Sequence, residues 1–402
     1  MSEKAQPKII VLGSMCRLPV AGVVFQILHY MLGFERLGFQ SYYVEWHGNW
    51  VKDPINPSED LNQPRLIIGD VMRTYGFADR WICRGDQVAP GYTFGGMSYE
   101  HLLSLYKEAE AIINVTGAHL MEEEQLPCPR RVYIESDPGI PQIKLNNGDP
   151  KMWDLVKDHT HHFTFGENMY GDDCLLPSKN LKYLPTRQPV VLDLWNKKNV
   201  SVGRSFTTVA RWRKPKEKTI QFEGICYRWN KDVEFEKFLD IPRSSNESME
   251  LALSEISIEE KMNLEAYGWK VFDAIPLSSS LDLYQSYIQD SRGEFTIAKD
   301  QYVRLKTGWF SDRSACYLAA GRPVVTQDTG FGHHLPTGEG LFAFQTKEDI
   351  LTALEKINSN YKKQCNAACE IAREYFDANK VLSKLLESIG LEYSLKSSEK
   401  TL

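Results

Sequence analysis

The sequence predicts an α/β protein made of two doubly wound, largely parallel sheets in tandem. Three observations carry this expectation. The chain has 402 residues, more than one ordinary core accommodates, so two domains of roughly 200 residues each are expected. Short apolar runs alternate with amphipathic helical stretches, the βαβ rhythm that sets strands side by side in parallel under helices. The rhythm stops once, at "LPTRQPVVLDLWNKKNVSVGRS" (184–205), and then starts again.

The first strand is "KIIVLG", a short apolar run ending in glycine. In "PVAGVVFQILHYMLGFERLG" the residues Val20, Val23, Val24, Ile27, Leu28, Met31 and Leu32 recur at helical spacing. Arg36, Leu37 and Gly38 then give a basic last turn and a glycine stop. "SYYVEW" reads as the next strand. Further on, a helix is expected over 99–108, strands over 111–115 and 131–135, a helix over 153–158 and a strand over 162–165. The 184–205 stretch has two prolines, a Lys-Lys-Asn turn and no helical pattern, and reads as an interdomain connection. The expected boundaries are a first domain over 1–188, a connection over 189–204, a second domain over 205–388 and a flexible tail over 389–402.

The second set opens with the strand "FTTVARW", followed by a polar loop. Helices are expected over 233–239, 259–267 and 281–290, with strands over 269–272 and 294–297. A helix starting at Ser311 and a strand over 323–327 come next, and 347–388 is helical and amphipathic. Ligands of such sheets bind at the carboxyl ends of the strands, so the site is expected in the cleft between the two domains.

Composition narrows the function classes. The formal net charge of −6 disfavours a nucleic-acid partner; a local basic cleft for a phosphorylated small molecule is compatible with it. The opening Met-Ser-Glu-Lys-Ala-Gln-Pro is polar and reads as no secretory signal, which makes the expected compartment the cytoplasm. The most apolar helix contains Gln26, His29, Glu35 and Arg36, too polar for a membrane span, although peripheral membrane contact stays open. Eight scattered cysteines, with no Cys-x-x-Cys, read as reduced thiols with no zinc.

The stretch "TGWFSDRSACYLAAGRPVVTQDTGFG" (307–332) carries the most chemistry. A helix N-terminus has free N–H groups and a partial positive charge, so it attracts anions. Ser311 suits the N-cap, and Arg313 adds a planar fork that fits phosphate or carboxylate. Ser314, Ala315, Ala319 and Ala320 let the helix lie close to its sheet. By themselves these residues equally describe an ordinary capped helix with a surface arginine.

Taken with "GEFTIAKDQY" (293–302), "GWFSDRSACYLAAGRPVVTQDTGF" (308–331) and "PTGEGLFAF" (336–344), the stretch resembles the donor-binding half of GT-B glycosyltransferases. The first half, through "PVAGVVFQILHYMLGFERLGFQSYYVE", resembles the acceptor domain of the same fold, and "RRVYIESDPGIPQ", "HHFTFGEN" and "FTTVARWR" resemble segments of a bacterial glycosyltransferase-like group. The resemblance implies two Rossmann-like domains facing a cleft. It implies a hexosyltransferase-type enzyme that moves a sugar from a nucleotide-diphosphate sugar to a small-molecule, lipid or glycan acceptor. Many retaining members carry two glutamates eight apart before Gly-x-Pro-Val-Val; here those positions are Gly308 and Cys316, which tilts the expectation towards inversion.

The donor-side candidates are Ser311, Asp312 and Arg313, Lys299 after "EFTIA", Arg213 after "FTTVA", and the turn Asp328, Thr329 and Gly330. Arg213 also reads as part of a basic surface run, and the Asp328 turn as a plain turn. On the acceptor side, Gly13, Ser14 and Arg17 follow the first strand. An inverting enzyme needs a general base, and Asp137 is expected to supply it, with His119 the alternative. Without an Asp-x-Asp pair, no metal and no cofactor are expected, and the leaving diphosphate would be stabilised by the helix end and cationic side chains. Two other readings stay open: a nucleotide-sugar epimerase on the same fold, and a non-catalytic two-lobed sugar-binding protein.

Overall fold

The structure, a computed structural model, describes residues 6–46, 62–85, 92–178, 181–196, 203–213 and 219–395. Eight strands form the first sheet: β1 (Lys8–Leu12), β2 (Gln40–Trp46), β3 (Trp81–Arg84), β4 (Thr93–Gly95), β5 (Ala111–Val115), β6 (Arg131–Glu135), β7 (His161–Thr164) and β8 (Leu184–Pro185). Their order is β4-β3-β2-β1-β5-β6-β7-β8. All neighbours are parallel except β3 and β4. Ile9 through Leu12 and Ala111 through Val115 are buried without alternation, as expected for central parallel strands covered on both faces.

The second sheet holds β9 (Ser205–Arg211), β12 (Ser248–Ser254), β13 (Lys270–Asp273), β14 (Gly293–Thr296), β15 (Val324–Gln327) and β16 (Leu341–Phe344). It is wholly parallel, in the order β13-β12-β9-β14-β15-β16. Between β9 and β12 a two-stranded antiparallel hairpin, β10 (Thr219–Phe222) and β11 (Ile225–Arg228), stands outside the sheet. The sequence reading had only a polar loop there. It also missed β12, because "SMELALS" is rich in good helix formers. Burial between β9 and β13 overrides that local preference.

Two sets of contacts bear on the expected boundaries. The last helix, Ala378–Ser388, was assigned to the second domain but packs on the first-domain helix Ala21–Arg36. Their close approach depends on Gly33, where an added Cβ would meet Leu382 at 2.4 Å. The segment 389–395 was expected to be a flexible tail. It instead lies on the first domain: Ile389 and Leu391 are buried, Arg130 donates to the Ile389 carbonyl, and Ser394 N–H donates to Leu37 O. Residues 396–402 lie outside the described residues. The chain thus crosses between domains twice, and the crossings pair, with Val190 N–H donating to Phe376 O and Ala378 N–H to Val190 O.

Candidate active-site cleft

Each sheet has one topological switch point, where strand order reverses: β1/β5 in the first domain and β9/β14 in the second. Crevices at the carboxyl ends of strands there are the natural ligand sites of open α/β sheets. A cavity of about 410 Å³ occupies this position, walled by both domains. Val20, Val23 and Gln26 at the start of the Ala21–Arg36 helix face Arg211, Glu255 and Asp312 across it.

The Asp312–Ala319 helix points its N-terminus at the cavity, and Ser311 is its N-cap without any side-chain cap hydrogen bond. Its first-turn amides are therefore not capped by that hydroxyl. Asp312 is held by Gln26 of the first domain at 3.2 Å. Burial lifts the Asp312 carboxyl to about 6. Arg313 lines the same wall, but its fork is largely committed: it donates to Glu294 at 2.5 Å, to Val209 O at 2.7 Å and to Thr296 at 2.8 Å.

Two lysines stand close by. Lys299 reaches across the cleft to Asp137, at 2.8 and 3.0 Å, and its ammonium lies 3.7 Å from the Trp229 ring centroid. Two sequence candidates, the expected base and an expected donor cation, are therefore ion-paired to each other. Lys231 was not singled out from the sequence. It is half-buried, beside Thr208, Arg211 and Thr296, and its ammonium has no hydrogen-bond or ion-pair partner among the described residues. Burial, with the positive fields of Arg313 and Lys299, pushes its ammonium well below the usual lysine range. The missed signal was "WNKDVEF", a lysine entering a helix after the β9 strand unit.

Asp137 sits on a braced turn. Its N–H donates to Glu135 at 2.5 Å, and the Glu135 carboxylate also accepts from Gln142 at 3.1 Å and Thr164 at 2.8 Å. Burial, then the Asp137 charge, raises Glu135 to about 8. From the second domain, Trp309 donates its indole N–H to Ser136 O at 3.0 Å.

His119 is placed differently from the expectation. It is 3% exposed, stacks on Trp46 at 4.2 Å and bonds through Nε2 to Gly13 O at 2.7 Å. It supports the β1 loop from beneath. In that loop Ser14 O accepts from Leu18 N–H, and the Cys16 and Arg17 amides donate to Glu45 at 2.7 and 2.8 Å, while the Arg17 side chain is exposed. The loop's amides thus already hold an internal carboxylate. Cys16 is disulfide-bonded to Cys83 of β3, which corrects the expectation of uniformly reduced thiols. Sequence spacing hid the pair, since 67 residues separate the two and only the β1–β2–β3 pairing brings them together.

The remaining donor candidates do not face the cavity. Arg213 turns to Asp232 at 3.0 Å and Glu260 at 2.8 Å. Asp328 caps its own turn by accepting from Gly330 N–H at 2.8 Å and pairs with Lys306 at 3.2 Å. Thr329 donates to Trp309 O at 2.6 Å. Gly330, at φ 91°, is faced by Asn168 of the first domain, whose side-chain nitrogen would lie 3.0 Å from an added Cβ. The turn is an interdomain contact in this conformation.

No protein-family model matches the chain, and comparison with curated proteins finds no match. Solved structures do match. An alpha-glucosyltransferase in complex with UDP-glucose and DNA containing an abasic site aligns with a TM-score of 0.58 at 11% identity, over 96% of this chain and 99% of that one. The alpha-glucosyltransferase in complex with UDP aligns at 0.57 and 10% identity, over 95% and 99%. Anabaena HepE in complex with UDP and glucose aligns at 0.50 and 10% identity, over 96% and 99%. These matches span nearly the whole chain, and the chain has the GT-B fold of these glycosyltransferases.

Proposed function

We propose that the protein is a glycosyltransferase that moves a sugar from a nucleotide-diphosphate sugar to an acceptor without a metal ion. The observation that carries this reading is Lys231, a half-buried amine with no anionic partner among the described residues, set beside Lys299 and Arg313 at the β9/β14 switch point. An uncompensated lysine in such a place is costly unless a ligand supplies the negative charge. A diphosphate does so, and the N-terminus of the Asp312–Ala319 helix lines the neighbouring cavity, which shares Arg211 with the space at Lys231. As the sugar–phosphate bond breaks, Lys231 and Lys299 stabilise the charge that develops on the departing nucleotide.

Asp137 takes the acceptor's hydroxyl proton in this reading, and His119, sealed under the β1 loop, does not. The acceptor, a small molecule, lipid or glycan, enters on the first-domain side. Calorimetry with UDP, GDP and ADP tests the proposal. One of them binds the native chain in EDTA, and Lys231→Gln weakens it by about 1.5–3 kcal/mol, the worth of hydrogen bonds to charged groups. The matching nucleoside monophosphate loses less. Failure of all three to bind, or binding that needs a divalent ion, overturns the reading. Transfer to an added acceptor separates the enzyme from an epimerase, which interconverts its nucleotide-sugar alone.

A further inference from the structure

A second cavity, of about 290 Å³, lies where the chain passes between the domains. One wall is residues 185–187, at the end of β8, and the other is formed by Glu374, Tyr375 and the last helix, Ala378–Ser388. These walls belong to the two crossings that pair through Val190, Phe376 and Ala378. Between them Ala372–Phe376 forms a π-helical turn, a rare form that recurs at functional sites.

The cavity's charge runs against that of the chain. The whole chain carries −6, whereas Arg187, Lys380 and Lys384 face only Glu167 and Glu374 here. Lys380 is taken by Glu374 in an exposed pair. Arg187 donates to Glu167 through one nitrogen and lies over the rings of Tyr375 and Phe376, 5.4 and 5.9 Å from their centroids. A guanidinium has five N–H donors. One carboxylate and two rings thus fix the fork, while most of its donors have no acceptor among the described residues. The Lys384 ammonium has no hydrogen-bond or ion-pair partner among the described residues. Burial raises the Glu167 carboxyl, and the charges of Arg187 and then Lys384 oppose it, so the two cations converge on one point. Phe163, Val381 and Leu385 give the cavity an apolar side. A fixed fork and an ammonium with unspent donors suit a doubly charged tetrahedral anion. The volume, at the small end for ligand pockets, leaves room for a few carbon atoms beyond it.

We propose that this cavity is a second ligand site, separate from the cleft, that holds the phosphate of a small phosphorylated metabolite on Arg187 and Lys384 and its carbon skeleton on the apolar side. The site stands whether or not a nucleotide binds the cleft. Calorimetry with glycerol 3-phosphate and with inorganic phosphate tests it, on the native chain, on Lys384→Gln and on Lys231→Gln. Lys384 is exposed on its helix, so its replacement is expected to leave the melting temperature unchanged. The native chain is expected to bind one glycerol 3-phosphate, and to bind inorganic phosphate more weakly because it lacks the carbons. Lys384→Gln weakens both by about tenfold or more, the scale of one hydrogen bond to a charged group. Lys231→Gln, altered in the cleft, leaves both unchanged. A native chain that binds neither probe, or both equally, overturns the assignment, and so does a loss in Lys384→Gln no larger than that in Lys231→Gln.

Discussion

Arg313 shows how a residue of the right type in the right motif acquires a different role. Its guanidinium has five N–H donors, and three bonds tie it to Glu294, Val209 and Thr296 inside the second domain. Glu294 is fully buried, and the pair is enclosed by β9, β14 and the Asp312–Ala319 helix. Removing one partner of a buried pair leaves an uncompensated charge, at a cost of about 3–5 kcal/mol. Arg313→Met is therefore expected to lower the unfolding free energy of the nucleotide-free chain, read from urea denaturation, by that amount. A variant of native stability that has merely lost nucleotide affinity would make Arg313 a ligand group instead. Lys231 is the converse case: ordinary in sequence, and distinctive only once the fold withholds an anion from it.

At the scale of elements, the 189–196 connection is a packed part of the structure. Trp195 is fully buried, and His29 of the Ala21–Arg36 helix accepts from Val191 N–H at 2.9 Å while the Trp195 indole N–H faces its other nitrogen at 3.2 Å. Protonation would turn a ring N–H against a donor. Burial, followed by the charge of Arg36, holds His29 down to about 3. An unfolded histidine titrates near 6.5, so between these values the unfolded chain binds the extra proton and folding weakens as pH falls. The contribution is fully present above about 6.5 and is lost towards pH 3. Lowering the pH from 7.5 to 5 is expected to reduce the urea midpoint of the native chain relative to His29→Gln, whose amide oxygen still accepts from Val191. A constant difference between the two chains would contradict this. The element rhythm itself was legible, as periodicity alone marks the Ala21–Arg36 helix and β1, β5 and β6. β12 was not legible, since its residues favour helix and only its neighbours make it a strand.

The whole molecule is held closed by polar contacts across the cleft. Lys299 to Asp137, Trp309 to Ser136, Asn168 Nδ2 to Lys306 O at 2.9 Å and Gln188 to the Phe310 carbonyl all join the two domains. In the reading proposed above the ion pair is the contact that exchanges, since a diphosphate on Lys299 would compete with Asp137 and release it. Asp137→Asn is expected to increase the radius of gyration of the nucleotide-free chain in small-angle scattering, with the bound nucleoside diphosphate reversing part of the change. Scattering identical to the native chain would show that the remaining contacts suffice to hold the domains.

The two parallel α/β sheets, the break in the βα rhythm and the helix that starts at Ser311 could be read from the residues alone. These are written in local periodicity and turn chemistry, which depend on neighbours a few residues away. Which charged groups remain available emerges only once the chain is folded. Arg313 and Arg213 are consumed by Glu294, Asp232 and Glu260, His119 is sealed under Gly13, and the last helix returns to the first domain. Whether a side chain is spent on the protein or kept for a ligand depends on partners far along the chain; Lys299 and Asp137 are 162 residues apart. A one-dimensional pattern does not carry that pairing, and the fold imposes it.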